Sequence, residues 1–302
     1  MLDKLDIRLL RIFVSIVEAG GFASAQSELN LSLSTISSHI STLEGRLGLT
    51  LCRRGRSGFR VTEEGKVVYE EAKRLFANVE HFDGRMRGLK HRLSGTLRLG
   101  LVDNTITDAA SRLTTVLGRF TDEAPEAALH IVTRPPHELL REVISGEIDL
   151  AIASFPRAAL GLDYVDLYTE TQRFYCARTH PLFDAPDEQI DIETVRQHNI
   201  IARHYWNARD IKVFAISTPR AVVSDMESEA RLILSGRYLG YLPEHFAQSY
   251  VARHELRALR SDLFAYRSPF QLARDRSQHK LGLIPFFVRL TLEEFGLPKS
   301  TR

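Results

Sequence analysis

Residues 21–54 read GFASAQSELNLSLSTISSHISTLEGRLGLTLCRR, and the organisation of the whole chain turns on this stretch. It holds two short helical patterns separated by a polar break, then an apolar strand ending in arginines. In the second pattern Ile36, Ile40, Leu43 and Leu47 recur at steps of four, three and four, which lays one apolar stripe along a helix. The opposite face carries Thr35, Ser38, His39, Thr42 and Arg46. Ser32 or Ser34 can accept the first free amides as N-cap, and Gly48 suits a left-handed stop. A short amphipathic helix with small hydrogen-bonding side chains at its N-terminal end is what a major groove admits. An ordinary surface helix of a bundle shows the same pattern, so the flanking segments have to decide.

Upstream, Leu9, Leu10, Phe13, Ile16 and Val17 give an apolar face to a helix capped by Asp6 and running to about Ala19, where Gly20-Gly21 ends it. A second helix covers about Ala23 to Leu29, with Asn30 as a turn residue. Together these make a three-helix unit with a helix-turn-helix at its end. Downstream, Leu49 to Val61 (LTLCRRGRSGFRV) contains two strand-like pieces around Gly55-Arg56-Ser57-Gly58, a hairpin composition. Arg53, Arg54, Arg56 and Arg60 fall within eight residues without one acid. Alone this is a solvated basic loop; beside a helix-turn-helix it reads as a wing over the phosphate backbone.

Thr62 then caps a long helix, with Glu63 and Glu64 in the first turn where the dipole favours acids. Val68, Ala72, Leu75, Val79, Phe82, Met86 and Leu89 follow at alternating steps of four and three, a heptad seam that a small winged domain cannot cover end to end. The seam is expected to pair with a second chain; packing on the C-terminal part of the same chain is the alternative. After Leu93-Ser94-Gly95-Thr96 the period changes. Strands at about Thr96–Val102, Leu129–Thr133, Asp149–Ser154, Arg173–Ala177, Ile200-Ile201, Ala221–Val223, Tyr238–Tyr241 and Leu263–Tyr266 alternate with helices at about Thr105–Phe120, Pro136–Ser145, Glu227–Leu234 and Ile284–Phe295. Such alternation predicts a parallel sheet covered by helices, hence an α/β chain with an all-α N-terminal part.

The chain has 302 residues, 44% hydrophobic and 26% charged, with a net charge of +2: ordinary values that fit two or three domains and neither prove nor exclude a polyanion partner. Two cysteines, Cys52 and Cys176, in separate predicted domains imply no disulfide framework. The N-terminus carries no apolar signal-like region and no apolar run reaches membrane-spanning length, so the expected compartment is the cytoplasm, with no membrane partner.

Phe22, Ala25, Leu29-Asn30, Ser32, Ser34, Ser37, Ile40, Leu43-Glu44, Leu47-Gly48, Leu51, Arg54, Val61-Thr62 and Gly65 occur here at a spacing that resembles the LysR-type transcriptional regulators. Looser marks follow at Gly95-Thr96-Leu97-Arg98, Gly146 to Ala151, His180-Pro181-Leu182 and Gly236 to Pro243, so the resemblance covers essentially the whole chain. It implies a winged helix-turn-helix over 1–61, a linker and dimerisation helix over 62–92, and an effector domain over 93–302 similar to periplasmic binding proteins. That domain would have two α/β subdomains, about 93–164 with 268–302 and about 165–267, with a small molecule in the cleft between them. Homodimers or homotetramers bound to double-stranded DNA are implied as well. Family members often carry Gln, Arg and a basic pair where this chain has Leu33, Ser38 and Ser41-Thr42. Base reading would therefore rest on Leu33, Ser34, Thr35, Ser38, His39 and Thr42, with more reliance on Arg53, Arg54, Arg56 and Arg60 at phosphates and on DNA shape.

Enzyme chemistry leaves no trace at sequence level. There is no HExxH, GxSxG, P-loop or GxGxxG, so neither a metal site nor a cofactor is expected, and the chain reads as a regulator rather than an enzyme. The rival reading is a small-molecule binding protein or enzyme whose N-terminal helices serve only in assembly. Cys176, in the strand-like run RFYCAR, reads as a buried structural thiol, with a single-cysteine sulfenate switch as the alternative. Ligands in α/β sheets bind beyond the carboxyl ends of strands, near free helix amides. That rule selects Asp103, Asn104, Thr105, Thr133, Arg134, Ser154, Phe155, His204, Tyr205, Trp206 and Ser224. Their hydroxyls and one cation suit a carboxylate, and the aromatic pair suits an aromatic acid.

Overall fold

A computed structural model describes residues 4–55, 58–88, 93–206, 210–277 and 282–298. The chain divides into two compact units, Met1–Asp83 and Gly84–Arg302.

The N-terminal unit holds α1 (Lys4–Glu18), α2 (Phe22–Leu29), α3 (Leu33–Leu47), a two-stranded hairpin β1 (Cys52–Gly55) and β2 (Gly58–Val61), and the long α4 (Glu63–Gly88) up to Asp83. Leu9, Phe13 and Ile16 of α1 pack with Ile36, Ile40 and Leu43 of α3, all essentially without exposure, so the apolar stripes meet as their periods require. Asn30 takes the left-handed conformation between α2 and α3. Ser32 caps α3 by accepting from the Thr35 amide at 3.2 Å, and Gly48 ends it in the left-handed region with its amide on the Glu44 carbonyl. Asp6 does not cap α1: the helix begins upstream of it, and the buried Asp6 carboxylate accepts from Arg46 Nη1 at 2.7 Å, tying α1 to α3. Thr62 caps α4, its Oγ1 accepting from the Gly65 amide at 2.9 Å while donating to the Thr50 carbonyl at 2.6 Å.

The second unit is built on a nine-stranded mixed sheet. Its chain order is β3 (Ser94–Leu101), α5 (Leu113–Glu123), β4 (Glu126–Thr133), α6 (Pro136–Ser145), β5 (Leu150–Ala153), β6 (Leu162–Ala177), α7 (Ile192–Arg196), β7 (Asn199–Arg203), β8 (Ala221–Val223), α8 (Met226–Leu234), β9 (Tyr238–Pro243), α9 (Glu244–Ala252), β10 (Leu256–Ala258), α10 (Ser261–Phe264), β11 (Tyr266–Asp275) and α11 (Leu283–Glu294). The sheet order is β4-β3-β5-β11-β6-β9-β7-β8, with β10 added on β6. β3, β4 and β5 run parallel, as do β7 with β8 and β9, but β11 is antiparallel to both β5 and β6. The parallel sheet expected from alternation is therefore interrupted by two long strands. β6 and β11 pair from Tyr266 opposite Gln172 to Asp275 opposite Leu162, with a bulge at Phe270/Gln271. One end of this ribbon packs against α5 and α11 through Leu97, Phe120, Leu272 and Phe287. The other packs against Phe214, Tyr241 and Phe264 through Phe174.

Two further expectations shift. The helix expected from Thr105 starts only at Leu113, because Asn104 is left-handed and Asp108 Oδ1 accepts from the Ala110 amide at 2.8 Å, side-chain turn chemistry that competes with helix. Leu263–Tyr266 is not a strand: Ser261–Phe264 form a short helix that drops Phe264 onto the Phe174 and Phe214 rings, and β11 begins at Tyr266. Among the described residues no helix is long and apolar enough to cross a membrane.

Candidate nucleic-acid interface and effector pocket

The outer face of α3 presents Leu33, Ser34, Ser38 and Thr42 as exposed residues, with Thr35 and His39 half-buried. The hydroxyls there are partly engaged with one another: Ser32 Oγ lies 2.9 Å from Ser34 Oγ and 2.8 Å from Thr35 Oγ1, and Thr42 Oγ1 donates to the Ser38 carbonyl at 2.8 Å. Each hydroxyl keeps acceptor capacity, so the face remains able to meet donors on base edges. Glu44 fixes the hairpin to this helix, its Oε1 accepting from the Leu51 amide at 2.7 Å and the Cys52 amide at 3.3 Å. β1 and β2 pair antiparallel with Arg53 opposite Arg60, and both arginines are exposed. Arg56 lies outside the described residues, as does the side chain of Arg54.

Along α4, Ala72 is buried in the core of its own unit, and Val68 and Leu75 pack against that core. The first half of the heptad seam is thus already covered from within the chain, contrary to pairing along its whole length. Val79 and Phe82 stay exposed, Phe82 at 55%. Leu89 and the side chain of Met86 lie outside the described residues.

In the second unit a small cavity of about 40 Å³ sits where the middles of β6 and β11 meet the strand ends. Asp103 follows β3, Ser154 follows β5, Glu170 and Gln172 come from β6, Ser268 from β11, and Arg203 with Tyr205 and Trp206 from the end of β7. Ser154 Oγ and Ser268 Oγ, both buried, share a hydrogen bond of 3.0 Å. Asp103 Oδ2 accepts from the Met226 amide at 2.7 Å, so a carboxylate of the chain itself sits on the α8 N-terminus. Arg203 is 2% exposed; its Nε donates to Glu229 Oε2 at 2.7 Å and its Nη2 to Gln172 Oε1 at 3.0 Å and the Tyr241 carbonyl at 2.6 Å. Burial pushes the Glu229 carboxyl upward, opposed by the Arg203 guanidinium beside it; for Arg203, burial works against the charge, and Glu229 together with Tyr205, Tyr266 and Asp210 more than restores it.

Two family models match this chain: the bacterial regulatory helix-turn-helix protein of the lysR family over residues 7–66, and the LysR substrate binding domain over residues 90–296. The chain belongs to the LysR family of transcriptional regulators. Within that family it is 37% identical over 262 residues to the HTH-type transcriptional activator BauR of Pseudomonas aeruginosa, covering 86% of each chain. It is 26% identical over 253 residues to the nitrogen assimilation regulatory protein Nac of Klebsiella aerogenes, covering 81% of this chain and 80% of that one. Its fold matches full-length CbnR solved with its target DNA, with a TM-score of 0.66 at 18% identity over 96% of this chain and 99% of that one.

For this LysR-family regulator, the strand-end rule and the pocket agree in part. Asp103, Ser154, Tyr205 and Trp206 line it. Asn104 donates from Nδ2 to Asp103 Oδ2 at 2.9 Å and so stands one layer behind; the Thr105 carbonyl accepts from the Asp108 amide in a turn. Thr133 and Arg134 are exposed at the sheet edge, where Arg134 donates to the Thr133 carbonyl and lies 3.5 Å from Glu142. Phe155 is turned inward against Tyr164, the His204 ring lies tilted near the His137 ring, and Ser224 is exposed. The strand-end rule did not select Arg203, Glu170, Gln172 or Ser268. The last three lie mid-strand on β6 and β11, which strand-end reasoning cannot reach. Arg203 was within reach, as the residue just before His204-Tyr205-Trp206.

Proposed function

We propose that this regulator binds DNA through α3 and its arginine hairpin, and that a small carboxylate bound beside Arg203 biases the arrangement of its DNA-binding heads. The domain limits follow the same reading: DNA-binding residues 1–61, linker 62–92, and an effector domain whose halves, about 93–164 with 268–302 and about 165–267, join across β6 and β11. Leu33, Ser34, Thr35, Ser38, His39 and Thr42 meet base edges, and Arg53, Arg54, Arg56 and Arg60 meet phosphates. The exposed Val79 and Phe82 carry the pairing surface toward Met86 and Leu89, giving a homodimer or homotetramer in the cytoplasm. No step of bond-breaking chemistry is assigned to the chain.

The observation that carries the effector reading is the convergence of Arg203, the Ser154–Ser268 hydroxyl pair, Tyr205 and Trp206 on one cavity between the two crossing strands. A volume near 40 Å³ admits a few atoms, so a bound aromatic acid requires the halves to open. Asp103 and Glu170, which also line the cavity, favour a ligand that offers hydrogen-bond donors as well. A thermal-shift screen of small carboxylates, run on the wild type and on Ser154→Val, tests this. A carboxylate that raises the Tm of the wild type, with the gain reduced in Ser154→Val, is the expected result. An equal gain in both proteins contradicts the assignment.

A further inference from the structure

Asp108, Glu170 and His245 come from three distant parts of the sequence: the loop after β3, the middle of β6 and the first turn of α9. Their ligand-type atoms gather within 4.8 Å of one another. Glu170 Oε1 lies 2.9 Å from His245 Nε2, and Asp108 Oδ2 lies 3.6 Å from the same nitrogen. The side chains are nearly sealed from solvent, at 10% exposure for Asp108, 6% for Glu170 and 13% for His245. Asp108 Oδ2 is itself fully buried, makes no hydrogen bond, and is aimed at the imidazole edge. Asp108 Oδ1 and Glu170 Oε2 accept from the Ala110 amide and the Gln172 side chain, while Asp108 Oδ2 and Glu170 Oε1 both face the His245 nitrogen, an arrangement that a cation between them would stabilise. On its other side the His245 ring has Nδ1 2.8 Å from Thr107 Oγ1, the arrangement by which a second partner fixes the tautomer of a metal-binding histidine. Without an ion, Nε2 can share a hydrogen bond with Glu170 Oε1 at 2.9 Å; with one bound, Thr107 Oγ1 would accept from Nδ1–H and leave the Nε2 lone pair for the metal.

We propose that Asp108, Glu170 and His245 form a binding site for a divalent transition-metal ion such as Zn²⁺ or Mn²⁺. One imidazole nitrogen and two carboxylate oxygens are the donor set such ions take. Ligand atoms 2.9 and 3.6 Å apart match the spacing around an ion whose bonds are about 2.0–2.2 Å. The three residues also line a cleft of about 480 Å³ together with Thr107, Thr171, Arg173 and Glu244. The site goes beyond the proposed effector pocket yet touches it, since Glu170 lines both. An ion held here links the loop after β3 to α9 on opposite sides of the crossing strands, and so favours one closure of the effector domain whatever occupies the pocket. Sequence spacing cannot reveal it: no two of the ligands lie within a helical turn of each other.

The test uses the tag-free full-length protein, stripped with a chelator and desalted. ZnCl₂ and MnCl₂ are titrated calorimetrically, with MgCl₂ as the oxygen-preferring control. The expected result is one ion bound per chain and a Tm that rises with its concentration. Asp108→Asn and His245→Gln should each weaken binding at least tenfold, and Thr107→Val about 10–100-fold through loss of the orienting partner. Circular dichroism of the metal-free variants establishes that they fold. If His245→Gln does not fold, the near-isosteric Asp108→Asn and Thr107→Val carry the test. No binding of either ion, or binding that these variants leave unchanged, overturns the proposal; in the first case the cluster is only a contact between a histidine and two carboxyl groups.

Discussion

Arg203 and Glu229 form a deeply buried ion pair in the second unit. Neither is more than 2% exposed, and Glu229 Oε1 also accepts from the Tyr241 amide at 2.9 Å, locking α8 to β9. Gly240 belongs to this packing, since a Cβ there would stand 3.0 Å from Glu229 Oε1 and about as near Ile233 and Ile201. Removing one partner leaves an uncompensated buried charge, so Glu229→Ala should lower the unfolding free energy by about 3–5 kcal/mol, measured by urea titration. A loss under about 1 kcal/mol would mean that Arg203 finds other charge compensation. His180 makes a pH prediction. Burial, assisted by the neighbouring His198, pushes its pKa down to about 4, and its Nδ1 accepts from the Leu182 amide at 3.1 Å as a neutral ring must. The unfolded chain binds this proton near pH 6.5 and the folded chain only near pH 4, so stability should fall as pH drops through that window, by up to about 3 kcal/mol. Denaturant titrations at successive pH values on wild type and His180→Gln measure it; identical pH profiles would exclude the role. Cys176 is the reverse case: burial pushes its thiol up to about 12, which removes the thiolate that a sulfenate switch requires.

Among the elements, the junction between the hairpin and α4 is tightly constrained. A Cβ at Gly65 would lie 2.0 Å from the Leu51 carbonyl oxygen and 2.9 Å from its carbon, backbone atoms that cannot swing aside. The same Leu51 carbonyl accepts from the Thr62 amide at 3.0 Å, so shifting it breaks the cap of α4. Gly65→Ala is therefore expected to cost about 1–3 kcal/mol and to lower the Tm of the full chain. An unchanged Tm would show that α4 can start at another register. The same closeness explains why the seam of α4 is divided. Val68, Ala72 and Leu75 lie within reach of the three-helix core and are consumed by it, whereas Val79 and Phe82 extend past it.

Across the whole molecule, how far a feature could be read from residues depended on the range of the interactions that create it. The three N-terminal helices, the caps at Ser32, Gly48 and Thr62, and the hairpin were all legible, because helical period and cap chemistry act within a few residues. β11 and the full length of β6 were not: their residues alternate or run apolar according to partners on the opposite side of a sheet assembled from distant segments. The candidate pocket shows the same division. Asp103, Ser154, Tyr205 and Trp206 follow from strand ends, while Gln172 and Ser268 acquire meaning only once the ribbon places them opposite Arg203 and Ser154. The cluster at Asp108, Glu170 and His245 is entirely a product of that assembly.

The central claim, that the N-terminal unit grips DNA through α3 and its arginine hairpin, is tested most directly by the salt dependence of DNA binding. Fluorescence anisotropy of the full chain on duplex DNA from upstream of its own gene would be followed from about 50 to 200 mM salt, for wild type, Arg53→Ala and Arg60→Ala. Binding should weaken steeply with salt, with each substitution reducing the logarithmic slope by about one for every DNA-binding head engaged. No binding at low salt, or slopes unchanged by both substitutions, would contradict this claim.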